Sequence, residues 1–239
     1  MDAHITSLAR GLQNLGVGPG SVVAVLMMNN SAYGALQWAT AKLGAILVTL
    51  NPSYSTRELG QALNQVKAST LVLVPGLRSS DYLAALNGLM PSLASNGKGG
   101  EVEDENFPML KRLVLVDNLT QRPKRWEGTS VHTKDGLTFA QALEKLNGKA
   151  LDYRDVLAEG QAAAKQGGNA LPQVDPEQVI NLQLTSGTTG RPKAVALTSR
   201  NLLNNVGFCA QFEVGAIALT LAFFFTGNGH WAEPQDHSE

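Results

Sequence analysis

The chain has 239 residues, 44% apolar and 16% charged, with 19 basic against 20 acidic side chains and a net charge of −1. That balance leaves no electrostatic footprint for nucleic acid or an anionic membrane surface. A single cysteine, Cys209, excludes a disulfide framework and a cysteine-based zinc site, and His4, His132, His230 and His237 lack metal-ligand spacing. The opening MDAHITSLARGL has no apolar segment of the kind a secretory signal needs. The longest apolar run, Ala216 to Phe225, is about half the ~20 residues of a spanning helix. The expectation is a cytoplasmic protein with no transmembrane segment and no nucleic-acid partner.

In chain order, Ile5, Leu8, Leu12 and Leu15 recur at helical spacing until Gly16-Val17-Gly18-Pro19-Gly20 ends the pattern. Ser21 to Leu26 reads as a buried strand. Asn30 or Ser31 can cap a helix that runs through Leu43 and stops at Gly44, with Tyr33 and Trp38 expected in the core beside Leu36. Ala45 to Leu50 reads as a second buried strand leading into Asn51-Pro52. A helix from near Thr56 follows, with Arg57-Glu58 in its first turn, and then a third strand at Thr70 to Val74. Strands alternating with helices predict parallel βαβ units and a layered α/β domain.

The middle of the chain is less regular. Ser92 to Pro108 reads as a solvated loop carrying an acidic run from Glu101 to Glu105, whose alternative use would be cation binding. Leu113 to Val116 reads as a strand, residues 117 to 136 as polar turns, Leu137 to Leu146 as a helix, and Gly167 to Pro176 as a linker.

The chemistry concentrates near residue 185. Ile180 to Leu184 alternates apolar and polar residues like a half-buried strand, and Val195 to Thr198 does the same, so the span between them joins two strands. That span is Thr185-Ser186-Gly187-Thr188-Thr189-Gly190-Arg191-Pro192-Lys193. Gly187 and Gly190 permit positive φ and let backbone N–H groups approach an anion. The hydroxyls of Thr185, Ser186, Thr188 and Thr189 can donate to phosphate oxygens, and Lys193 adds a point charge. The Gly-x-x-Gly-x-x-Lys spacing is not that of a Walker A loop. A Gly/Ser/Thr-rich turn in an ordinary sheet is the competing reading.

Thr185 to Lys193 resembles the phosphate-binding signature of the adenylate-forming superfamily, which includes acyl-CoA synthetases, luciferases and the adenylation domains of peptide synthetases. Two further stretches are similar. One is Leu8-Ala9-Arg10-Gly11-Leu12 with Gly16 to Val25; the other is Lys42-Leu43-Gly44-Ala45 through Asn51-Pro52-Ser53-Tyr54 and Glu58-Leu59. Leu182-Gln183 before the signature and Lys193-Ala194 after it look most like the medium-chain acyl-CoA synthetases. Ser199 departs from the His or Asn often found there.

The resemblance implies an incomplete large N-terminal domain of the family, its βαβ layers covering residues 1–205. It implies an acid–thiol ligase that uses ATP to turn a small-molecule carboxylic acid, of the fatty class, into an acyl-adenylate and then transfers the acyl group to coenzyme A. Thr185, Ser186, Gly187, Thr188, Thr189, Gly190 and Lys193 would hold the ATP phosphates, with Mg²⁺ sharing the neutralisation. The family's adenine-binding, ribose-contacting and C-terminal lysine segments have no counterpart in the sequence. The alternative is therefore a catalytically inactive truncated fragment that keeps only the phosphate loop; an unrelated phosphate-binding module stays open beside it.

Residues 206–239 do not resemble the family and are expected to be a translated intron followed by a shifted frame. Val206-Gly207 or Val214-Gly215 can be encoded by a donor-like GTNGG, Leu219-Thr220 by a branch-point-like CTNAC, and Phe223 to Gly227 by a pyrimidine tract ending in ACAGG. An ordinary amphipathic tail is the competing reading.

Overall fold

The computed structural model describes residues 2–77, 80–97, 99–118, 136–168, 170–185 and 193–210, the last five by their backbone. Five apolar runs become the parallel strands of one sheet. These are β1 (Val22–Leu26), β2 (Ile46–Thr49), β3 (Thr70–Leu73), β6 (Arg112–Leu115) and β8 (Val179–Thr185). A short parallel strand, β7 (Leu151–Asp152), extends one edge, and β9 (Lys193–Thr198) closes the other as an antiparallel partner of β8. The strand order is β7-β6-β3-β1-β2-β8-β9. Val23, Ala24, Val25 and Leu26 are completely buried, because a parallel strand covered on both faces has no solvent side and reads as unbroken apolar sequence. A two-stranded ribbon, β4 (Gly76–Leu77) with β5 (Ser80–Asp81), stands apart from this sheet.

Topology dictates the layers. From β1 the chain steps to β2 on one side, then crosses back over β1 to reach β3 on the other. Right-handed crossovers put the helices of those two connections on opposite faces. Accordingly α1 (Asp2–Asn14) packs against α2 (Ser31–Lys42) and α6 (Tyr153–Lys165), while α3 (Thr56–Val66) packs against α4 (Tyr82–Leu89). Helix starts follow their caps. Asn30 Oδ1 accepts from the Tyr33 amide at 2.9 Å, and Ser55 and Glu58 form a reciprocal capping box at the head of α3. A second capping box, Thr138 with Gln141, starts the short α5 (Phe139–Glu144).

Several expectations are corrected. Trp38 is 49% exposed rather than in the core, whereas Tyr33 is buried; α2 turns Ala35, Leu36 and Ala39 inward, and Trp38 falls on its other side. The helix expected over 137–146 is confined to Phe139–Glu144, because the capping box places its start at Thr138 and Asn147 takes a positive φ beyond its end. The loop expected from Ser92 to Pro108 contains a 3₁₀ turn, Pro91–Ala94. Its first acid, Glu101, bridges Arg112 through both the backbone and a 2.8 Å ion pair, which gives that carboxylate a structural partner.

α6 has no counterpart among the predicted elements. It binds α1 through two glycines: a Cβ on Gly11 would lie 2.0 Å from the Val156 carbonyl oxygen, and one on Gly160 would lie 1.8 Å from that of Ser7. Backbone-to-backbone approach of this kind leaves little apolar periodicity to read. Among the described residues no helix is long and apolar enough to cross a membrane.

Candidate functional site: the β8–β9 hairpin at the sheet's C-terminal edge

β8 lies between two partners. On one side it runs parallel to β2, pairing Leu47 with Asn181, Val48 with Leu182 and Thr49 with Gln183. On the other it is antiparallel to β9, pairing Gln183 with Val195, Leu184 with Ala194 and Thr185 with Lys193. The last pair is tied further by the Thr185 hydroxyl, which donates to the Lys193 carbonyl at 3.3 Å. The two ends of the nine-residue span are therefore side by side, and both side chains are exposed. Ser186, Gly187, Thr188, Thr189 and Gly190, the other residues expected to bind phosphate, lie outside the described residues, as does His132; so does the side chain of Cys209.

Because β8 is parallel to β1, β2, β3 and β6, its C-terminal end shares an edge with theirs. In open α/β sheets this is the edge where ligands bind. The turn after β2 is at this edge and is firmly held. Asn51 Oδ1 accepts from the Ser53 amide at 2.9 Å, and the Tyr82 hydroxyl donates to the Pro52 carbonyl at 2.7 Å. Burial pushes the Tyr82 phenol up to about 12, so it stays a donor throughout the neutral range. Tyr54 is raised by burial and by the nearby Glu58 carboxylate. Glu58 is lowered, since the Ser55 hydroxyl and amide both donate to it.

The alternation expected for Ile180 to Leu184 is only partly observed. Asn181, at a supposedly outward position, is completely buried. Its Nδ2 donates to Gln37 Oε1 on α2 at 3.1 Å, and its Oδ1 accepts from Gln183 Nε2 at 2.7 Å. One turn earlier on α2, Tyr33 shares a 2.7 Å hydroxyl contact with Thr49, the residue paired with Gln183. The outer side of β8 thus faces α2 across polar contacts, not water. Gln37 and Asn181 were not singled out by the sequence reading; a lone glutamine among the buried residues of α2 was the available signal. On β9, Lys193, Ala194, Val195 and Ala196 are all exposed, because no further strand covers them among the described residues.

No group of three or more His, Cys, Asp and Glu side chains is assembled to hold a metal among the described residues. Among the described residues the mouth of the hairpin offers a cation, Lys193, beside a hydroxyl, and the sequence between them is rich in glycine and hydroxyl residues and carries Arg191. Such a set suits a polyanion that is bound and steadied.

Comparison with known proteins bears on the family and the fold. The family model described as AMP-binding enzyme matches residues 1–232. YngI of Bacillus subtilis (strain 168), which carries an acyl-CoA synthetase name, is 34% identical over 211 residues, 88% of this chain and 34% of its own length. The mitochondrial medium-chain acyl-CoA ligase ACSF2 of Danio rerio is 28% identical over 204 residues, 85% of this chain and 29% of its own. Among solved structures, the acetoacetyl-CoA synthetase of Streptomyces lividans shares the fold with a TM-score of 0.57 at 21% identity, covering 85% of this chain and 26% of that one. The chain thus spans about a third of the length of the curated relatives it matches.

Proposed function

The chain belongs to the AMP-binding enzyme family, and from that membership we propose that it is the phosphate-gripping part of an acid–thiol ligase. Such a ligase activates a carboxylic acid, of the fatty class, with ATP to an acyl-adenylate and pyrophosphate, and then passes the acyl group to the thiol of coenzyme A. The observation that carries the proposal is the Thr185–Lys193 pair at the mouth of the hairpin. It holds a hydroxyl and an ammonium on either side of the glycine-rich span, at the sheet edge where α/β folds bind ligands.

In this reading Ser186, Thr188 and Thr189 donate to the β- and γ-phosphate oxygens, Thr185 does so by exchanging its 3.3 Å bond to the Lys193 carbonyl for one to phosphate, and Gly187 and Gly190 let backbone amides reach them. Lys193 stabilises the charge that grows on the departing pyrophosphate. Magnesium would arrive with the phosphates of ATP; no group of three or more His, Cys, Asp and Glu side chains is assembled for it among the described residues.

The test is ATP-dependent hydroxamate formation from a panel of fatty and aryl acids with hydroxylamine, alongside calorimetric titration with pyrophosphate. Pyrophosphate binding that Lys193→Ala abolishes supports the assignment. Binding that is indifferent to that change removes it.

A second reading has its own support. Val195 is 45% exposed and Leu203, on α7 (Ser199–Ala210), is 65% exposed. Apolar residues in the open on an edge strand and its neighbouring helix favour further protein packing on this side of the sheet. We infer that this polypeptide alone binds phosphate without turning over; hydroxamate formation by the isolated chain, lost in Lys193→Ala, would overturn that. The division at Asn205, with residues 206–239 read through an intron and a shifted frame, is part of the same proposal. α7 runs on across that point to Ala210, and a transcript sequenced across codons 200 to 239 decides the matter.

A further inference from the structure

β8 sorts its side chains by chemistry as well as by side. Successive residues of a strand point to opposite faces of the sheet. Asn181 faces α2, since its Nδ2 donates to Gln37 Oε1 at 3.1 Å, and Gln183 lies on the same face with its Nε2 donating to Asn181 Oδ1 at 2.7 Å. Thr185, two residues on, continues that row. Leu182 and Leu184 point the other way and pack against the apolar core. From Asn181 to Thr185, then, each polar side chain is on the α2 side and each apolar one is on the reverse.

β9 carries the division onward. Residues directly opposite in an antiparallel pair share a face. Lys193, opposite Thr185, and Val195, opposite Gln183, therefore emerge on the α2 side, whereas Ala194 and Ala196, opposite Leu184 and Leu182, emerge on the reverse. The irregularity of this ladder lies between Val179 and Asn181 and does not reach these pairs. α2 covers Asn181 completely, but Gln183 is only half-buried, Thr185 and Lys193 are exposed, and Val195 is 45% exposed. A hydroxyl, an ammonium and an amide are thus open on one face. One Nε2 proton of Gln183 goes to Asn181, and the other has no partner among the described residues. On the reverse face, Leu182, Leu184, Ala194 and Ala196 offer an oxyanion no side-chain donor.

We propose that the phosphate-bearing ligand is engaged from the α2 side of the hairpin, with Gln183 and Val195 lining the site beside Thr185 and Lys193. The proposal rests on the phosphate-binding role given to Thr185 and Lys193 above, and adds to it a side and two residues. Gln183 turns its second amide proton toward the ligand, and Val195 forms the floor beneath it.

A charge placed on either face of β9 tests the side. Val195→Glu sets a carboxylate on the α2 side about 7 Å from Lys193. Ala194→Glu sets one nearer to Lys193 along the chain, but on the reverse. Both positions are exposed, so melting temperatures should stay within about 2 °C of the unchanged protein. Calorimetric titration with inorganic pyrophosphate in about 0.15 M salt should show affinity about tenfold weaker in Val195→Glu and changed less than about threefold in Ala194→Glu. Val195→Lys should strengthen binding and Ala194→Lys should leave it nearly as it was, which keeps the comparison decisive if one acidic variant fails to fold. Gln183→Glu, a change of charge at constant size on the α2 side, should weaken binding at least as much as Val195→Glu. Equal effects at 194 and 195, or the larger effect at 194, would overturn the proposal and leave the phosphate reading standing. No binding of pyrophosphate by the unchanged protein would overturn both.

Discussion

Gly160 of α6 lies so close to Ser7 of α1 that a Cβ at position 160 would stand 1.8 Å from the Ser7 carbonyl oxygen. The obstacle is backbone, not a side chain that can swing aside, so the two helices would have to separate. Gly160→Ala should therefore destabilise the protein by about 3 kcal/mol, the upper end for overpacking. Chemical denaturation of the two proteins measures it, and a difference below about 1 kcal/mol would contradict the close helix contact.

Removing the cation at the mouth of the hairpin should separate binding from stability. Lys193 is exposed, so Lys193→Ala is expected to leave unfolding within about 0.5 kcal/mol of its starting value. The loss of one charge-assisted contact should still weaken pyrophosphate binding by about 10- to 100-fold. Titration calorimetry and a thermal melt on the same samples read both.

The tyrosines predict a fall in stability in alkali. Burial raises Tyr82 and Tyr153 from 10.0 to about 12. The unfolded chain loses these phenol protons near pH 10, whereas the folded protein keeps them to about pH 12. Between those values the unfolded state binds fewer protons, so stability declines as pH rises; below pH 10 their contribution is fully present. The urea midpoint should hold steady from pH 7 to 9 and drop between pH 10 and 12. The double variant Tyr82→Phe with Tyr153→Phe should show a shallower drop.

The capping box on α3 predicts a modest acid sensitivity. Ser55→Ala should cost about 1 kcal/mol, the usual worth of an N-cap. Glu58 is lowered by its bonds from Ser55, so its contribution is present at neutral pH and fades as pH falls through that lowered value. Denaturation at pH 7 and pH 3 should show the gap between Ser55→Ala and the parent protein narrowing in acid.

Asn181→Ala should also destabilise the protein. It leaves Gln37 and Gln183 each missing the amide that now satisfies it, and a buried polar group stripped of its partner costs about 1–3 kcal/mol. Denaturant midpoints of Asn181→Ala and the parent protein read this loss, and a difference below about 0.5 kcal/mol would contradict the buried polar contact.

Much of the fold was legible before any coordinates. Val23 to Leu26 and Leu71 to Val74 announce strands buried on both faces, and Asn30 and Ser55 announce the helices that follow them. Other elements were hidden for physical reasons. α6 meets α1 through Gly160 and Gly11, where the packing is made by backbone and no apolar repeat is required. Trp38 is apolar by composition, yet its place around the helix turns it to solvent. Of the candidate site, the type of chemistry was written in Thr185 to Lys193 as glycine, hydroxyl and cation.

What the sequence determined by itself, then, is local: which runs are apolar enough to be strands, which residues cap helices, and which nine residues can cradle an anion. These properties depend on side-chain chemistry and on neighbours within a few positions. Only the tertiary structure decided that β8 lies beside β2 at the far end from β7, so that Thr185 and Lys193 face one another at the sheet's C-terminal edge. It also decided that Asn181, two residues from a strand end, is sealed beneath α2 against Gln37, which stands 144 positions away. Pairings across such separations depend on which surfaces exclude water together, and no short window of sequence contains both partners.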